Sequence, residues 1–366
     1  MEKNMRMEII NHKFERLGVI NKFDMIQYNP KYSGIGSFEL SCALNEENKS
    51  LIVEDNILWI EDGYAGVIQY IDKSSKNEIK VKGKLLSVVL NWRTVIKTYE
   101  ANKPPTEIFD ELVRLNFMTD GERKIEGFTF INNVNDDKTA IRYQVTGEAL
   151  SDVFQPLSET YDIGYEVYLN MKEKAFEFTL FRGRDLTIDN KDGNKPVIFG
   201  TDFNNILTSE YVSDKNNYRN VAYVAGEGEG ENRVVVEVKQ TESAGFFRRE
   251  IVVDARDLQK ANSTTKMTDE EYNELLQQRG KEKLSEFRKV ESYDAELMSD
   301  ARTGFVYGKD YFLGDTVSVV DKNLGVILSA KITEVTVTFA EDGYTVEPTF
   351  GFGLPTLYDK LKKGVL

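Results

Sequence analysis

The stretch Tyr311–Gly351 constrains the fold of this chain most. Tyr311–Val320 carries a Gly314-Asp315 turn ahead of an apolar run. Lys331–Phe339 alternates apolar and polar residues, and a further strand pattern follows the turn at Glu341-Asp342-Gly343. Three strands joined by tight turns are the direct reading. They come after a highly charged segment with helical spacing, so the chain returns to β structure after an excursion. Such a return predicts the closing of a barrel begun earlier. The stretch holds no catalytic motif, which points to a structural part of an assembly before it points to an enzyme.

At 366 residues the chain exceeds one ordinary domain, and two to four domains of about 100–150 residues are predicted. A hydrophobic fraction of 40% supports real cores and argues against global disorder. The net charge of -14, from 47 basic and 61 acidic residues, repels nucleic acid and anionic lipid alike. It therefore speaks against sequence-specific nucleic-acid reading, yet it leaves room for a conduit past which DNA slides. A single cysteine, Cys42, excludes an internal disulfide, and a single histidine, His12, excludes His-based metal sites and leaves no obvious triad. His12 reads as an exposed side chain. Cys42 lies in the alternating Phe38–Leu44 strand and reads as a small core or interface residue. Met1–Arg6 has no apolar run behind it, and no window nears about 18 apolar residues, so neither a signal peptide nor membrane insertion is expected.

Residues 8–98 read as about six short strands, including Phe38–Leu44, Ala65–Ile71, a hairpin through Lys73–Asn77, and an apolar run at Leu85–Trp92. At Pro104-Pro105 the texture changes. Ile108, Phe109, Leu112 and Val113 share one helical face behind the prolines. A second helix is predicted with Thr146 as N-cap, the stripe Leu150, Val153, Phe154 and Leu157, and a kink or early end at Pro156. Tyr165–Leu169 and Ala175–Phe181 read as a hairpin through Asn170–Lys174. From 205 the chain is β again, with Val221–Ala225 and Arg233–Val238 flanking a glycine-rich loop and Phe246–Val253 as a further strand. A charged helix follows, opened by a capping box of Thr268 and Glu271. Tyr272, Leu276, Leu284 and Phe287 fall near one face, so it is expected to pack on one side only.

Several constellations invite a chemical reading. Gly226–Gly230 has the glycines of a phosphate cradle, but Glu227, Glu229 and Glu231 would repel the anion and no helix follows. A hairpin loop is the better reading. Asp189–Asn194 has the look of a calcium loop. With Gly193 at the sharp turn, however, Ile188 and Phe199 fall where the first and last ligands belong, and an Asp-Gly turn explains it. Asp136-Asp137 and Asp269–Glu271 look solvent-facing, unlike the pocketed pair of a glycosidase. No serine has a nucleophile-elbow context. The 18 tyrosines and 21 phenylalanines read as strand cores and edges more readily than as a binding face. No catalytic, cofactor-binding or metal-ligating residue is assigned, and no cofactor is expected.

The order and spacing of several stretches resemble one family, the baseplate hub and tail-tip proteins of long-tailed bacteriophages, related to the hubs of contractile tails and tail-like particles. The stretches are Gly18–Phe23 with Tyr28–Leu40, Gly66–Asp72, Val81–Leu86 through Trp92-Arg93, Thr146–Leu150, Tyr161–Tyr165, Tyr218–Gly230, Asp254–Leu258, Leu313–Val317 and Val346–Gly351. They cover about residues 8–353. The resemblance implies a mainly β chain with α+β parts: two small antiparallel, tail-tube-like β-barrels, an α+β domain and a helical insertion. The first barrel would occupy 1–99, the α+β domain 100–204, the discontinuous second barrel 205–260 with 300–366, and the insertion 261–299. It further implies a homotrimer whose six barrels mimic the six-fold tail tube. Its partners would be the tail tube or distal tail protein above, a central spike or tip protein below, and the tape measure protein. The site would be a virion tail or tail-like particle, assembled in the bacterial host cytoplasm. The alternatives are a cell-wall-degrading tail enzyme, glycosidase or peptidase, and a carbohydrate-binding receptor module.

Overall fold

The structure, a computed structural model, describes residues 5–60, 63–74, 77–134, 139–200, 202, 205–240, 243–261, 266–297, 304–340 and 343–352. Asp136-Asp137 and the turn residues Glu341 and Asp342 lie outside them. The chain divides into two compact units, one of residues 1–88, 164–213 and 291–366, the other of 89–163 and 214–290.

The first unit is organised by one large sheet. In order across it lie the strands Ile206–Asp214, Val290–Leu297, Gly343–Phe352, Val326–Ala340, Met25–Asn29, Ser37–Ala43, Glu78–Leu85, Ala65–Ser74, Ile57–Ile60, Met7–Ile10 and Arg16–Ile20. Thr316–Asp321 pairs antiparallel with the first part of Val326–Ala340 and takes Asp185–Leu186 and Ile198–Gly200 as parallel neighbours. The three predicted closing strands are therefore present. Their central member is the seam of the unit. Val337–Ala340 pairs on one side with Gly343–Val346 and on the other with Met25–Tyr28. A register shift between Ile332 and Glu334 changes the alternation by one residue. Ile332, Val335 and Val337 consequently all reach the core, each fully buried. Phe199 packs in the same core, its ring 5.2 Å from Tyr311 and 5.3 Å from Phe350.

The resemblance implies two small antiparallel β-barrels. Among the described residues the strand path is open, ending at Arg16–Ile20 and Ile206–Asp214, and it closes no barrel. Strands near the two ends of the chain share one sheet and one apolar core. The segment 205–260 divides: Ile206–Asp214 joins this sheet, whereas the strands from Val221 to Asp254 belong to the second unit. Local alternation identifies a strand but not its partner; the partner follows from which apolar faces can be buried together. The apolar run Leu86–Trp92 is a 3-10 helix, not a strand.

In the second unit the strand Tyr99–Lys103, paired antiparallel with Ile141–Val145, leads into the helix Pro105–Val113, whose Ile108, Phe109, Leu112 and Val113 are fully buried as the spacing predicts. The following helix runs Leu150–Tyr161 with Ala149 at its N-cap and Pro156 inside it. Thr146 instead donates its hydroxyl to Thr98. Proline in a helix interior costs about 3 kcal/mol. The buried stripe Leu150, Val153, Phe154 and Leu157, with Phe154 4.6 Å from Phe109, offsets it, so the helix neither ends early nor loses its face. Val235–Lys239, Val221–Ala225 and Glu250–Asp254 form a three-stranded sheet in that order, antiparallel then parallel. Tyr272, Leu275, Leu276 and Leu284 of the helix Asp269–Glu286 pack on it. The Thr268–Glu271 capping box is formed. Gly280 lets helix and sheet approach closely, because a Cβ there would lie 2.5 Å from Val238 and 2.9 Å from Val224. The helix does not pack on one side only. Gln278, Arg279 and Glu282 are buried as well, and the Gln278 side chain meets Tyr161 of the preceding helix at 2.5 Å.

Candidate functional site

His12 is exposed in the turn between Met7–Ile10 and Arg16–Ile20. Cys42 is fully buried in Ser37–Ala43, and burial, reinforced by Asp24, pushes its thiol up to about 11. Gly226–Gly230 connects two antiparallel strands, with the Gly226 N–H donating to Val234 O and the Glu227 N–H to the Tyr272 hydroxyl. The amides of Gly226 and Glu227 therefore face the protein's own acceptors. In Asp189–Asn194 the Asn190 amide donates to Thr187 O and its carbonyl accepts from the Asn194 N–H, while Asp189 and Asp192 point to solvent. The Asn190 side-chain amide pins that turn. No cluster of metal-ligating side chains occurs among the described residues.

Gly314-Asp315 is more than a strand-entry turn. Asp315 is 2% exposed. Its Oδ1 accepts from the Arg184 N–H at 2.7 Å, and its Oδ2 accepts from Arg184 Nη2 at 2.6 Å and from the Phe312 N–H at 2.9 Å. Gly314 has a φ of 90°, and an added Cβ at Gly183 would lie 1.8 Å from Gly314 O. Two backbones pass in contact here, and the carboxylate ties them together.

Among the buried carboxylates that escaped the sequence reading are Glu166 and Glu282. Glu166, 1% exposed in Gly164–Asn170, accepts from the Ser87 hydroxyl and from the Val167 N–H through Oε1. Its Oε2 meets no partner among the described residues. Burial, outweighing these hydrogen bonds, raises the carboxyl to about 7. Tyr64 and Tyr168, rings 5.8 Å apart, are pushed up by burial first and by the Glu166 charge among lesser causes. In the second unit Glu282 accepts from Gln278 at 2.7 Å, and burial raises it to about 7 as well. Beside it Arg279 grips Asp257 through both terminal nitrogens at 3.2 and 2.8 Å. A carboxyl near 7 suits general acid–base work. Glu166 and Ser87, however, are both enclosed away from solvent.

No curated protein matches the chain by sequence. Its structure is similar to the 43 kDa tail protein of prophage MuSo2 from Shewanella oneidensis, at 11% identity and a TM-score of 0.60 over 95% of this chain and 98% of that one. It is similar to the prophage tail protein gp18 from Listeria monocytogenes EGD-e, at 9% identity and a TM-score of 0.58 over 98% of each. It is also similar to the tail protein from Neisseria meningitidis MC58, at 12% identity and a TM-score of 0.56 over 95% and 96%. The fold is thus one found in phage tail proteins. The model of the Siphovirus ReqiPepy6 Gp37-like proteins matches residues 6–352, and the chain belongs to that family.

Proposed function

We propose that the chain is a structural baseplate hub subunit of a phage tail or tail-like particle. Three copies would form a ring that adapts the six-fold tail tube to a three-fold tip or spike and surrounds the DNA channel. The seam in which Val337–Ala340 lies between Met25–Tyr28 and Gly343–Val346 carries this reading. It joins the two ends of the matched region into one rigid sheet, which suits a load-bearing ring element. In the ring, strands of the first 99 residues and those of the C-terminal segment would each contribute a tube-like module. The tube or distal tail protein would sit above, the spike or tip protein below, and the tape measure protein within reach. The net charge of -14 suits a wall past which DNA moves, because it does not hold phosphates. The role is non-enzymatic, and assembly takes place in the host cytoplasm.

Native mass spectrometry of the full chain, alone and mixed with tube and tip proteins, tests the proposal. A trimer, or a trimer formed on addition of either partner, is expected. A chain that stays monomeric at every concentration and joins neither partner refutes it.

A further inference from the structure

A shallow cleft of about 570 Å³ opens on the first unit. It is lined by Arg16, Trp59 of Ile57–Ile60, and Tyr168, Asn170, Met171 and Glu177 of the Gly164–Phe181 hairpin. The volume lies in the range of small-ligand sites, about 300–1,000 Å³. Trp59 stands opposite Glu8 in the ladder between Met7–Ile10 and Ile57–Ile60. Glu8 is 1% exposed and ion-pairs with Arg16 at 2.9 Å and Arg6 at 2.6 Å. A buried carboxylate thus fixes the arginine at the cleft wall. Glu177 is likewise held, accepting from Asn170 Nδ2 at 2.7 Å. The Trp59 indole N–H is buried and meets no acceptor among the described residues. Buried indole N–H groups ordinarily find a partner, so an acceptor from beyond the described residues would complete this one.

We propose that this cleft binds a neutral saccharide unit. A half-buried indole beside a tyrosine and a methionine offers an apolar face for the C–H side of a pyranose ring. The indole N–H supplies a donor for a ring or hydroxyl oxygen. The held guanidinium donates to hydroxyls, and the Glu177–Asn170 pair both donates and accepts. Arg16 is ion-paired with buried Glu8, and Lys172, which also lines the cleft, lies 3.7 Å from the Glu173 carboxylate, so each cation of the lining already has a carboxylate partner and an uncharged ligand fits better than an anion.

The full chain carrying Trp92→Phe leaves Trp59 as the only tryptophan. Titrated with maltotriose and with triacetylchitotriose, it should show a saturable change in Trp59 emission with at least one of them. Saturation-transfer NMR then compares variants. Trp59→Phe keeps a ring but removes the donor and should weaken binding about tenfold. Glu177→Gln should weaken it about two- to fivefold. Phe247→Ser, outside the cleft, should leave it unchanged. No saturable change up to about 50 mM, a concentration that would reveal even weak stacking, overturns the proposal. So does binding that both cleft variants leave intact. Near-UV circular dichroism confirms that each variant is folded, and Glu177→Gln decides if Trp59→Phe is not.

Discussion

Replacing Glu166 by glutamine isolates the energetic consequence of enclosing a carboxyl without enough partners. In the folded chain the group sits at about 7, against an ordinary value of 4.5, because burial outweighs the hydrogen bonds from Ser87 and Val167. A carboxyl raised on folding stabilises the native state fully below the ordinary value. That contribution fades as pH rises through about 7, where the native state can no longer keep its extra proton. At about 1.4 kcal/mol per unit, the shift corresponds to roughly 3 kcal/mol of native stability lost between pH 4.5 and 7. Glutamine is isosteric, retains the acceptor that meets Ser87 and Val167, and does not titrate. The stability of Glu166→Gln minus that of the parent should therefore climb by about 3 kcal/mol from pH 4.5 to 7 and stay level above. A constant offset at all pH, from fitting an amide where Oε2 stood, does not disturb this slope. The chain has two tryptophans, and they lie in different units, Trp59 in the first and Trp92 in the second. Urea unfolding followed by Trp59 emission in a Trp92→Phe background reads the unit that holds Glu166. Glu282 titrates near the same pH but belongs to the other unit, so parent and variant share its contribution. A difference that stays flat from pH 4.5 to 7 would refute the argument that burial governs this group.

Three further outcomes follow from the packing. Asp315→Ala removes the acceptor of the Arg184 and Phe312 N–H groups; the Arg184 side chain, 44% exposed, can rehydrate. The cost should be about 2–4 kcal/mol from the stranded amides, read by Trp59, and a loss below about 1 kcal/mol would show that the carboxylate does not hold the two backbones together. Gly280→Ala gains about 1 kcal/mol of helix propensity, but its Cβ enters the Val238 and Val224 side chains. Net destabilisation of about 1–2 kcal/mol is expected in the second unit, read by Trp92 after Trp59→Phe, and stabilisation would contradict the close helix–sheet approach. Thr268→Ala should lower the stability of the same unit by about 1 kcal/mol through loss of the capping box; an unchanged urea midpoint would mean the cap contributes nothing there.

What the sequence disclosed and what it withheld differ in range. Short-range signals were legible. The box from Thr268 to Glu271, the apolar stripe from Ile108 to Val113, the hairpin through Asn170–Lys174 and the three strands after Tyr311 each depend on residues within a few positions. Pairings across the chain were not. Met25–Asn29 meets Val337–Ala340 some three hundred residues away, and the alternation of neither strand names the other. The same holds for the buried polar groups. Glu166 lies in the run Gly164-Tyr-Glu-Val-Tyr168, where a charged residue between apolar ones reads as solvent-facing. It is enclosed because Ser87, 79 positions earlier, closes over it. Gln278, Arg279 and Glu282 likewise read as the wet side of a charged helix until Tyr161 and Asp257 are brought against them. Pro156 shows the converse: its local rule predicted a break, and burial of Leu150, Val153, Phe154 and Leu157 overrode it. Wherever local preference and long-range burial disagreed, burial prevailed, because removing a few large side chains from water outweighs one broken helix bond or one desolvated carboxyl. The residues that lock distant segments into one sheet have no short motif by which to announce themselves.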